Sequence, residues 1–244
     1  PHFFKWMFLR NDSKYIYMQK IAYELSAKSS TYGETVSDLV VGSYDEHNDW
    51  GDYDTYLMCS IDESFCDKIA LDFACGPGRN IIKYHKKFKR IDGCDISEQN
   101  IKNAKSNILS NGISLPELYV TNGNDLGNVK ENFYDFIFST IALQHICVHK
   151  IRYSILSSMY KALKKSGRIS IQMEFGKNSP DSVGYYENNF NVIGTNRACD
   201  TRVEESSYIE KDLKQIGFTN FQYWIRPTGP GDTHPNWIFF TAVK

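Results

Sequence analysis

The sequence predicts an α/β fold, in which a mostly parallel sheet carries helices on both faces and ends in an antiparallel hairpin. Short apolar runs alternate with stretches of helical periodicity through the middle of the chain, which is the order of βαβ units. A glycine turn follows the first of these runs and opens a helix. Two adjacent strand patterns, 218–225 and 237–243, close the chain and predict the hairpin.

Length and composition favour one domain acting on small molecules. The chain has 244 residues, 41% of them hydrophobic, and a formal net charge of −1. We predict a single domain over 1–244, with a helical cap segment at 1–60 and a substrate lid at 176–203. The near-neutral charge disfavours a protein devoted to nucleic acid. The six cysteines lack metal-ligand spacing, which predicts reduced thiols and no metal site. The sequence shows no signal-peptide or membrane-spanning pattern, which predicts a cytoplasmic protein without a membrane partner.

The first strand is predicted in the six-residue run 69–74, which contains an acid and is followed by two glycines. Asp72 lies near the end of the apolar run, and Gly76 and Gly78 follow before helical periodicity resumes. Glycines let the backbone turn sharply and approach a ligand, while the following helix presents unpaired N–H groups. A bound ligand with an anionic group is expected at this turn.

The second strand, 90–95, ends in a carboxylate that sharpens this expectation. Asp95 comes nineteen residues after Gly76, the spacing at which an acid binds the hydroxyls of a ribose held over a glycine turn. A dinucleotide fingerprint has a third glycine where this chain has Ile81. The pattern therefore favours a nucleotide-like cofactor other than a dinucleotide.

These motifs, D-x-x-x-G-x-G-R followed by D-G-C-D-I-S, resemble those of the Rossmann-like S-adenosylmethionine (SAM) dependent methyltransferases, whose fold is a seven-stranded sheet. The usual first motif has Gly where this chain has Ala74. The resemblance implies that the glycine turn faces the methionine part of SAM, that Asp95 binds the ribose and that Asp72 holds the amino group. It also implies cofactor contacts at Trp50, Ala74, Cys75, Gly76, Gly78, Arg79, Ile96 and Ser139.

Ahead of the first strand, residues 12–28 predict an amphipathic helix. In this family such helices cover the cofactor or shape the acceptor pocket, and simple packing is an equal alternative. The loop 44–54 is rich in carboxylates without calcium-loop order, which indicates a solvated acidic loop. By resemblance, Trp50 and Tyr53 in this loop are candidates for contacts with SAM or the acceptor.

After the second strand, Ser97 caps a helix that ends near Ser110, and a third strand covers 118–120. The following loop, 121–126, contains three residues that fit the family's adenine contacts, with an Asn or Asp for the exocyclic amine and an apolar side chain for the ring. These residues are Asn124, Asp125 and Leu126. The alternative is a turn rich in Asn and Gly for backbone reasons.

The fourth strand, 133–138, leads into a loop that should border the transferred methyl group, because ligands of open α/β sheets bind beyond the carboxyl ends of the strands. His145 in this loop is the first candidate for a general base. The S-x-x-x-x-Q-H segment that holds it is similar to that of bacterial small-molecule and sugar-tailoring methyltransferases. Gln144 in the same segment is a candidate for contact with the acceptor.

The last third of the chain supplies the remaining candidates. Strand five, 168–175, alternates apolar and polar residues, which predicts a strand nearer the sheet edge or one lining a polar cleft. A helix from Glu204 to Ile216 follows the irregular region 176–203. Candidates for enclosing the acceptor are Tyr185, Tyr186, Arg197 and Trp237, and His234 is the second candidate base.

The resemblance implies a SAM-dependent O-methyltransferase of a small polar metabolite or sugar-linked group, with S-adenosylhomocysteine as product. Three alternatives stay open at this point: an N-methyltransferase of a small molecule, a nicotinamide-dependent oxidoreductase and a SAM-binding subunit without catalysis. The terminal hairpin and Ile81 argue against the oxidoreductase. The sequence leaves the oligomeric state open.

Overall fold

The computed structural model describes residues 10–29, 53–177, 182–191, 200–228 and 235–244. The strands are β1 (Ile69–Phe73), β2 (Arg90–Asp95), β3 (Leu118–Val120), β4 (Tyr134–Ser139), β5 (Leu163–Phe175), β6 (Val183–Gly184), β7 (Thr201–Val203), β8 (Thr219–Pro227) and β9 (Asn236–Val243). The α-helices are α1 (Asn11–Ser29), α2 (Tyr53–Leu57), α3 (Arg79–Tyr84), α4 (Glu98–Ser110), α5 (His149–Ala162) and α6 (Ser206–Ile216). Short 3₁₀ turns cover Glu63–Asp67, His85–Lys87 and Leu143–His145.

The sheet has the predicted Rossmann-like arrangement. Strands β3, β2, β1, β4 and β5 lie side by side in that order and run parallel. Strand β9 pairs antiparallel with β5, and β8 pairs antiparallel with β9. These seven strands confirm the predicted fold. The order reverses between β1 and β4, so their carboxyl ends form the switch point where such sheets bind ligands.

Two short strands extend this sheet beyond the prediction. Strand β7 pairs parallel with the last two residues of β5, and β6 pairs with β7. Both come from the region 176–203, which the sequence predicts as an irregular lid. The described parts of that region therefore add to the sheet at the carboxyl end of β5, beside the switch point.

Apolar side chains pack on both faces of the sheet. Helices α5 and α6 contribute Ile155 and Leu213 to one cluster, and α3 and α4 contribute Ile81 and Ile108 to the other. The boundaries follow local chemistry: the Ser97 side chain accepts a hydrogen bond from the Asn100 N–H at the start of α4, as predicted. Among the helices of the described ranges, none combines the length and the apolar character that a bilayer crossing needs.

The expectation that β5 lies nearer an edge is wrong, because the strand is flanked by β4 and β9 over most of its length. Two of its polar side chains, Ser170 and Gln172, are nevertheless fully buried, and both bond to backbone groups. The Ser170 hydroxyl donates to the Leu57 carbonyl at 2.7 Å, and the Gln172 side-chain oxygen accepts from the Ile141 N–H at 2.6 Å. The polar alternation therefore fixes α2 and the loop after β4 against the sheet.

Candidate active site

Asp72 lies near the carboxyl end of β1, and its side chain is only 1% exposed. Burial raises the pKa of its carboxyl group to about 8, although the nearby Arg79 and Asn80 side chains act in the opposite direction. Neither carboxylate oxygen has a hydrogen-bond partner of good geometry in the described part of the chain. A buried carboxylate in this state is suited to a cationic ligand group, which would favour its ionised form.

The turn after β1 adopts the left-handed backbone conformation at three residues, with φ of 58° at Ala74, 51° at Gly76 and 89° at Gly78. Gly78 precedes α3, and a Cβ atom there would lie 3.3 Å from Ala104 in α4. Ala74 takes the position at which the family motif has Gly. The departure is costly, because a left-handed backbone brings the Cβ of an L-residue close to the carbonyl oxygen.

Asp95 at the end of β2 connects the glycine turn to the following helix. One oxygen accepts from the Gly76 N–H at 3.0 Å, and the other accepts from the Ser97 N–H at 2.8 Å and from the Asn100 amide at 3.3 Å. The side chain is 6% exposed. The two predicted cofactor residues Gly76 and Asp95 are thus in direct contact, and binding of a ribose by Asp95 stays a prediction.

Two residues that sequence reasoning missed bridge the carboxyl ends of β1 and β4. The Asn80 amide donates to the Thr140 hydroxyl oxygen at 3.1 Å, and the Arg79 guanidinium lies 3.4 Å from the same oxygen. Both Asn80 and Thr140 are buried. Their signal in the sequence is weak, since a polar residue early in a helix is usually solvated.

His145 is paired with a buried acid in the candidate site. Its Nδ1 atom lies 2.6 Å from Oδ1 of Asp200, and the side chains are 22% and 3% exposed. Within the described ranges, no hydrogen bond to Nε2 of His145 is found. Sequence reasoning missed Asp200, because it lies 55 residues away in a region without periodicity.

Helix α1 contacts the candidate site on two sides, at the His145 turn and at the start of α4. The Gln19 amide donates to the His145 carbonyl at 3.0 Å, while the Glu24 carboxylate accepts from the Ser97 hydroxyl at 2.7 Å. Burial, followed by the negative charges of Asp200 and Asp95, raises the pKa of the Tyr23 phenol far above its ordinary value. Of the two alternatives for this helix, the contacts favour a cap on the carboxyl ends of the strands.

The remaining predicted cofactor residues lie around the same strand ends. The Ser139 hydroxyl donates to the Phe73 carbonyl at 3.0 Å, and the Cys75 side chain packs toward Gly93. In the predicted adenine loop, Asp125 accepts from the Gly127 N–H at 2.6 Å. The Asn124 amide lies 3.3 Å from the Ser154 hydroxyl, Leu126 is 1% exposed and Ile96 packs at Gly123. An adenine contact by these three loop residues stays a prediction.

Of the predicted acceptor residues, Gln144 is fully buried beside His145. Tyr185 is buried with its hydroxyl 3.0 Å from the Asp212 carboxylate, and the half-exposed Tyr186 donates to the Tyr208 carbonyl. Trp237 is buried in the core cluster beneath α2. Four candidates lie outside the described residues or have undescribed side chains: Trp50, Tyr53, Arg197 and His234.

A second histidine and acid pair lies one helical turn further along the chain. Nε2 of His149 is 2.7 Å from the Asp212 carboxylate, which also accepts from Tyr185. The rings of Tyr185 and Tyr186 pack on the imidazole, with centroids 5.5 and 4.9 Å away. This pair ties α5 to α6, and its similar geometry makes it a matched control for His145.

Comparison with known proteins agrees with this architecture. Residues 71–171 match the family model described as a methyltransferase domain. The match begins in β1 and ends in β5, so it includes the glycine turn, Asp95 and His145. The chain has no match among curated proteins.

Solved structures match over a larger part of the chain. Phosphoethanolamine N-methyltransferase 2 of Haemonchus contortus, in complex with phosphomonomethylethanolamine and S-adenosylhomocysteine, superimposes with a TM-score of 0.65 and 15% identity, over 93% of this chain and 60% of that chain. The same enzyme with S-adenosyl-L-methionine gives a TM-score of 0.59 at 16% identity, over 80% and 52%. This chain therefore spans at most about three fifths of that enzyme.

Two further structures show how widely the fold is used. A SAM-dependent methyltransferase from Methanosarcina mazei matches with a TM-score of 0.57 and 19% identity, over 77% of this chain and 95% of that chain. The [4+2]-cyclase SpnF matches with a TM-score of 0.56 and 13% identity, over 73% and 75%. At these identities the likeness establishes the fold.

Proposed function

We propose that this protein, whose residues 71–171 match a methyltransferase domain and whose cofactor is SAM, methylates an oxygen atom of a small polar metabolite or sugar-linked group. The observation that carries the proposal is the 2.6 Å contact between His145 Nδ1 and Asp200 Oδ1 at the carboxyl end of the sheet. A histidine held by a buried acid is the arrangement that prepares an imidazole to accept a proton.

When bound, SAM supplies a methyl group that is already activated on a sulfonium sulfur. The buried carboxylate of Asp72 would hold its ammonium group, and Asp95 would bind the ribose while it keeps the Gly76 N–H in place. Asn124, Asp125 and Leu126 would contact the adenine. The fit is supported by charge, because two buried carboxylates surround the position proposed for a cationic ligand.

His145 would act on the acceptor hydroxyl. If Nδ1 carries a proton and donates it in a hydrogen bond to Asp200, Nε2 has the free lone pair. Nε2 would then take the proton from the hydroxyl group that is methylated. Asp200, which is 3% exposed, then stabilises the imidazolium that forms. The chain's own contribution is therefore to position the acceptor, remove its proton and exclude water from the cleft.

N-methylation is the second candidate. The Haemonchus contortus structure that covers 93% of this chain belongs to an N-methyltransferase, and an ammonium acceptor must also lose a proton before it can attack. The same histidine and acid pair could accept that proton. A nicotinamide-dependent reaction is disfavoured. A dinucleotide fingerprint has its third glycine at the position of Ile81, where it lets the helix pack closely on the strand, whereas here the Ile81 side chain packs against Gly93.

Calorimetry with SAM and with NADH tests the cofactor, and release of S-adenosylhomocysteine with a panel of alcohol and amine acceptors tests the reaction. We expect the protein to bind SAM and not NADH, and to methylate alcohols. His145→Ala should lower turnover and leave SAM affinity unchanged, whereas the matched His149→Ala should leave turnover near that of the parent. Turnover of amines alone would favour the second candidate, and SAM binding without turnover of any acceptor would favour a binding subunit.

A further inference from the structure

We propose that three glutamines around the His145 loop, Gln19, Gln144 and Gln172, bind a neutral acceptor rich in hydroxyl groups, such as a sugar ring without phosphate or amine. The inference rests on the proposed function and adds the chemical class of the acceptor. It is carried by four buried amide atoms around the loop 141–145 that have no hydrogen-bond partner among the described residues.

Gln144 precedes the candidate base and is 0% exposed. Within the described part of the chain, neither its amide nitrogen nor its amide oxygen has a hydrogen-bond partner. A buried primary amide without partners costs stability, and native proteins rarely keep one unless a water or ligand satisfies it. Because the amide offers a donor and an acceptor whichever way it is oriented, its hydrogen-bonding capacity does not depend on the assignment of its two atoms.

Gln172 lies across the loop on β5 and is also 0% exposed. Its oxygen accepts from the Ile141 N–H at 2.6 Å, which fixes the amide orientation. The nitrogen is then a donor that finds no partner in the ranges the structure describes. Ile141 has a φ of 51°, an unfavourable conformation for a β-branched residue. Gln172 thus holds a strained backbone next to Thr140, and its free donor remains beside the same loop.

Gln19 approaches the loop from α1 and is 5% exposed. Its nitrogen donates to the His145 carbonyl at 3.0 Å and lies 2.7 Å from the Tyr15 hydroxyl, so its orientation is also fixed by a backbone group. The remaining oxygen is a buried acceptor to which no group of the described residues donates. Three elements, α1, the 3₁₀ turn at Leu143–His145 and β5, therefore each bring an incomplete amide to one loop.

The balance of these atoms indicates the kind of group they bind. The set contains two donors, on Gln144 and Gln172, and two acceptors, on Gln144 and Gln19. A phosphate presents acceptors and would leave the Gln19 oxygen facing a negative charge, while an ammonium presents donors and would leave the Gln172 nitrogen facing a positive one. Hydroxyl groups both donate and accept, so neighbouring hydroxyls of a sugar ring satisfy the whole set.

Gln144→Met tests the inference, because Met has a similar length and cannot form these hydrogen bonds; Gln144→Leu is a second variant of the same kind. The probes are methyl hexosides, the corresponding hexose phosphates and amino sugars, with S-adenosylhomocysteine release as the readout. We expect the neutral hexosides to be methylated and Gln144→Met to raise their KM about tenfold or more, with unchanged SAM affinity. The control Gln222→Met, on the exposed face of β8, should change neither value.

Thermal stability separates a binding role from a structural one. Removing an unpaired buried amide should leave the Tm of Gln144→Met unchanged or higher, whereas an amide that is satisfied within the protein would give a lower Tm in both variants. A lower Tm in both, or failure of every neutral hexoside to be methylated, would overturn the inference. If only hexose phosphates or amino sugars are methylated, the inference is wrong but SAM-dependent transfer stands. If the parent protein does not bind SAM at all, the proposed function itself is wrong.

Discussion

The carboxylate of Asp95 accepts a hydrogen bond from the backbone N–H of Gly76 at 3.0 Å, across 19 positions of sequence. The contact joins the glycine turn after β1 to the acid at the end of β2. Asp95 also accepts from the Ser97 N–H, so one side chain orders the turn and the start of α4. The residue proposed to bind the ribose is therefore part of the backbone scaffold of its own site.

Replacing Asp95 should therefore affect folding and cofactor binding together. Asp95→Ala leaves the N–H groups of Gly76 and Ser97 without their acceptor, and we expect the free energy of unfolding to fall by about 1–3 kcal/mol. Asp95→Asn keeps one acceptor and should lose less stability, but both variants should bind SAM more weakly in calorimetry. Asp67→Asn, at an exposed acid that pairs with Lys68, is the control. Parent-like SAM affinity in Asp95→Ala would contradict the ribose assignment.

Asp72 should show the opposite effect on stability. Burial raises its pKa from 3.8 to about 8, so between these pH values the folded chain holds a proton that the unfolded chain has lost. The stability contributed by this group therefore falls as pH rises from about 4 to about 8. Asp72→Asn removes the dependence, and we expect it to unfold at higher urea concentration than the parent at pH 8, with the difference vanishing near pH 4.

The same variant should bind SAM poorly, because it cannot carry the charge that pairs with an ammonium. In the parent at pH 7, ionisation of Asp72 on binding should release a proton. Calorimetry in two buffers with different ionisation enthalpies measures this release. Binding without proton release, together with unchanged affinity in Asp72→Asn, would show that the carboxylate does not contact the cofactor.

Local patterns in the sequence predicted most of the fold. The run that forms β1, the glycine turn and the Ser97 cap each depend on residues close together in the chain, and all three lie where they were predicted. The β8 and β9 hairpin was also predicted, since the two adjacent strand patterns match the hairpin that ends the fold of the methyltransferases that the sequence resembles. The irregular appearance of 176–203 hid β6 and β7, because strands of two or three residues leave no period to detect.

The candidate site could be predicted only where one residue carries the signal. His145 became a candidate through its position after β4, and its role stays a prediction, whereas its partner Asp200 comes from a distant segment with no pattern of its own. The polar alternation of strand five predicted an edge position or a polar cleft, but the strand is interior, and the Gln172 side chain bonds to the Ile141 N–H inside the protein. Such pairings depend on tertiary contact and not on local sequence.

Ala74 offers a simple test of the strained turn. Its φ of 58° is unfavourable for any residue with a Cβ, so Ala74→Gly should raise the free energy of unfolding by up to about 1 kcal/mol. Ala104→Gly, in the helical conformation of α4, should lower it by about 1 kcal/mol and serves as the control. Urea unfolding measures both. A lower stability in Ala74→Gly would mean that the alanine side chain contributes packing that outweighs the strain.

The pairing of His145 with Asp200 predicts strongly non-additive kinetics. His145→Asn removes the proposed base and should reduce turnover about 10²- to 10⁴-fold, the usual range for general base catalysis. Asp200→Asn keeps the shape but can present its amide N–H to Nδ1, which would favour the tautomer with the proton on Nε2, so it should also reduce turnover while SAM affinity stays unchanged. Because the two residues act as one unit, the double variant should be no slower than His145→Asn alone.

The control for this cycle is the pair of His149 and Asp212, which has nearly the same geometry and a contact distance of 2.7 Å. His149→Asn should change stability and leave turnover within a few-fold of the parent, since that imidazole is packed between α5 and α6. If losses from His145→Asn and Asp200→Asn simply multiplied in the double variant, the two residues would act independently and the base assignment would fail. If His149→Asn instead gave the large loss, the proton would be accepted at the second pair.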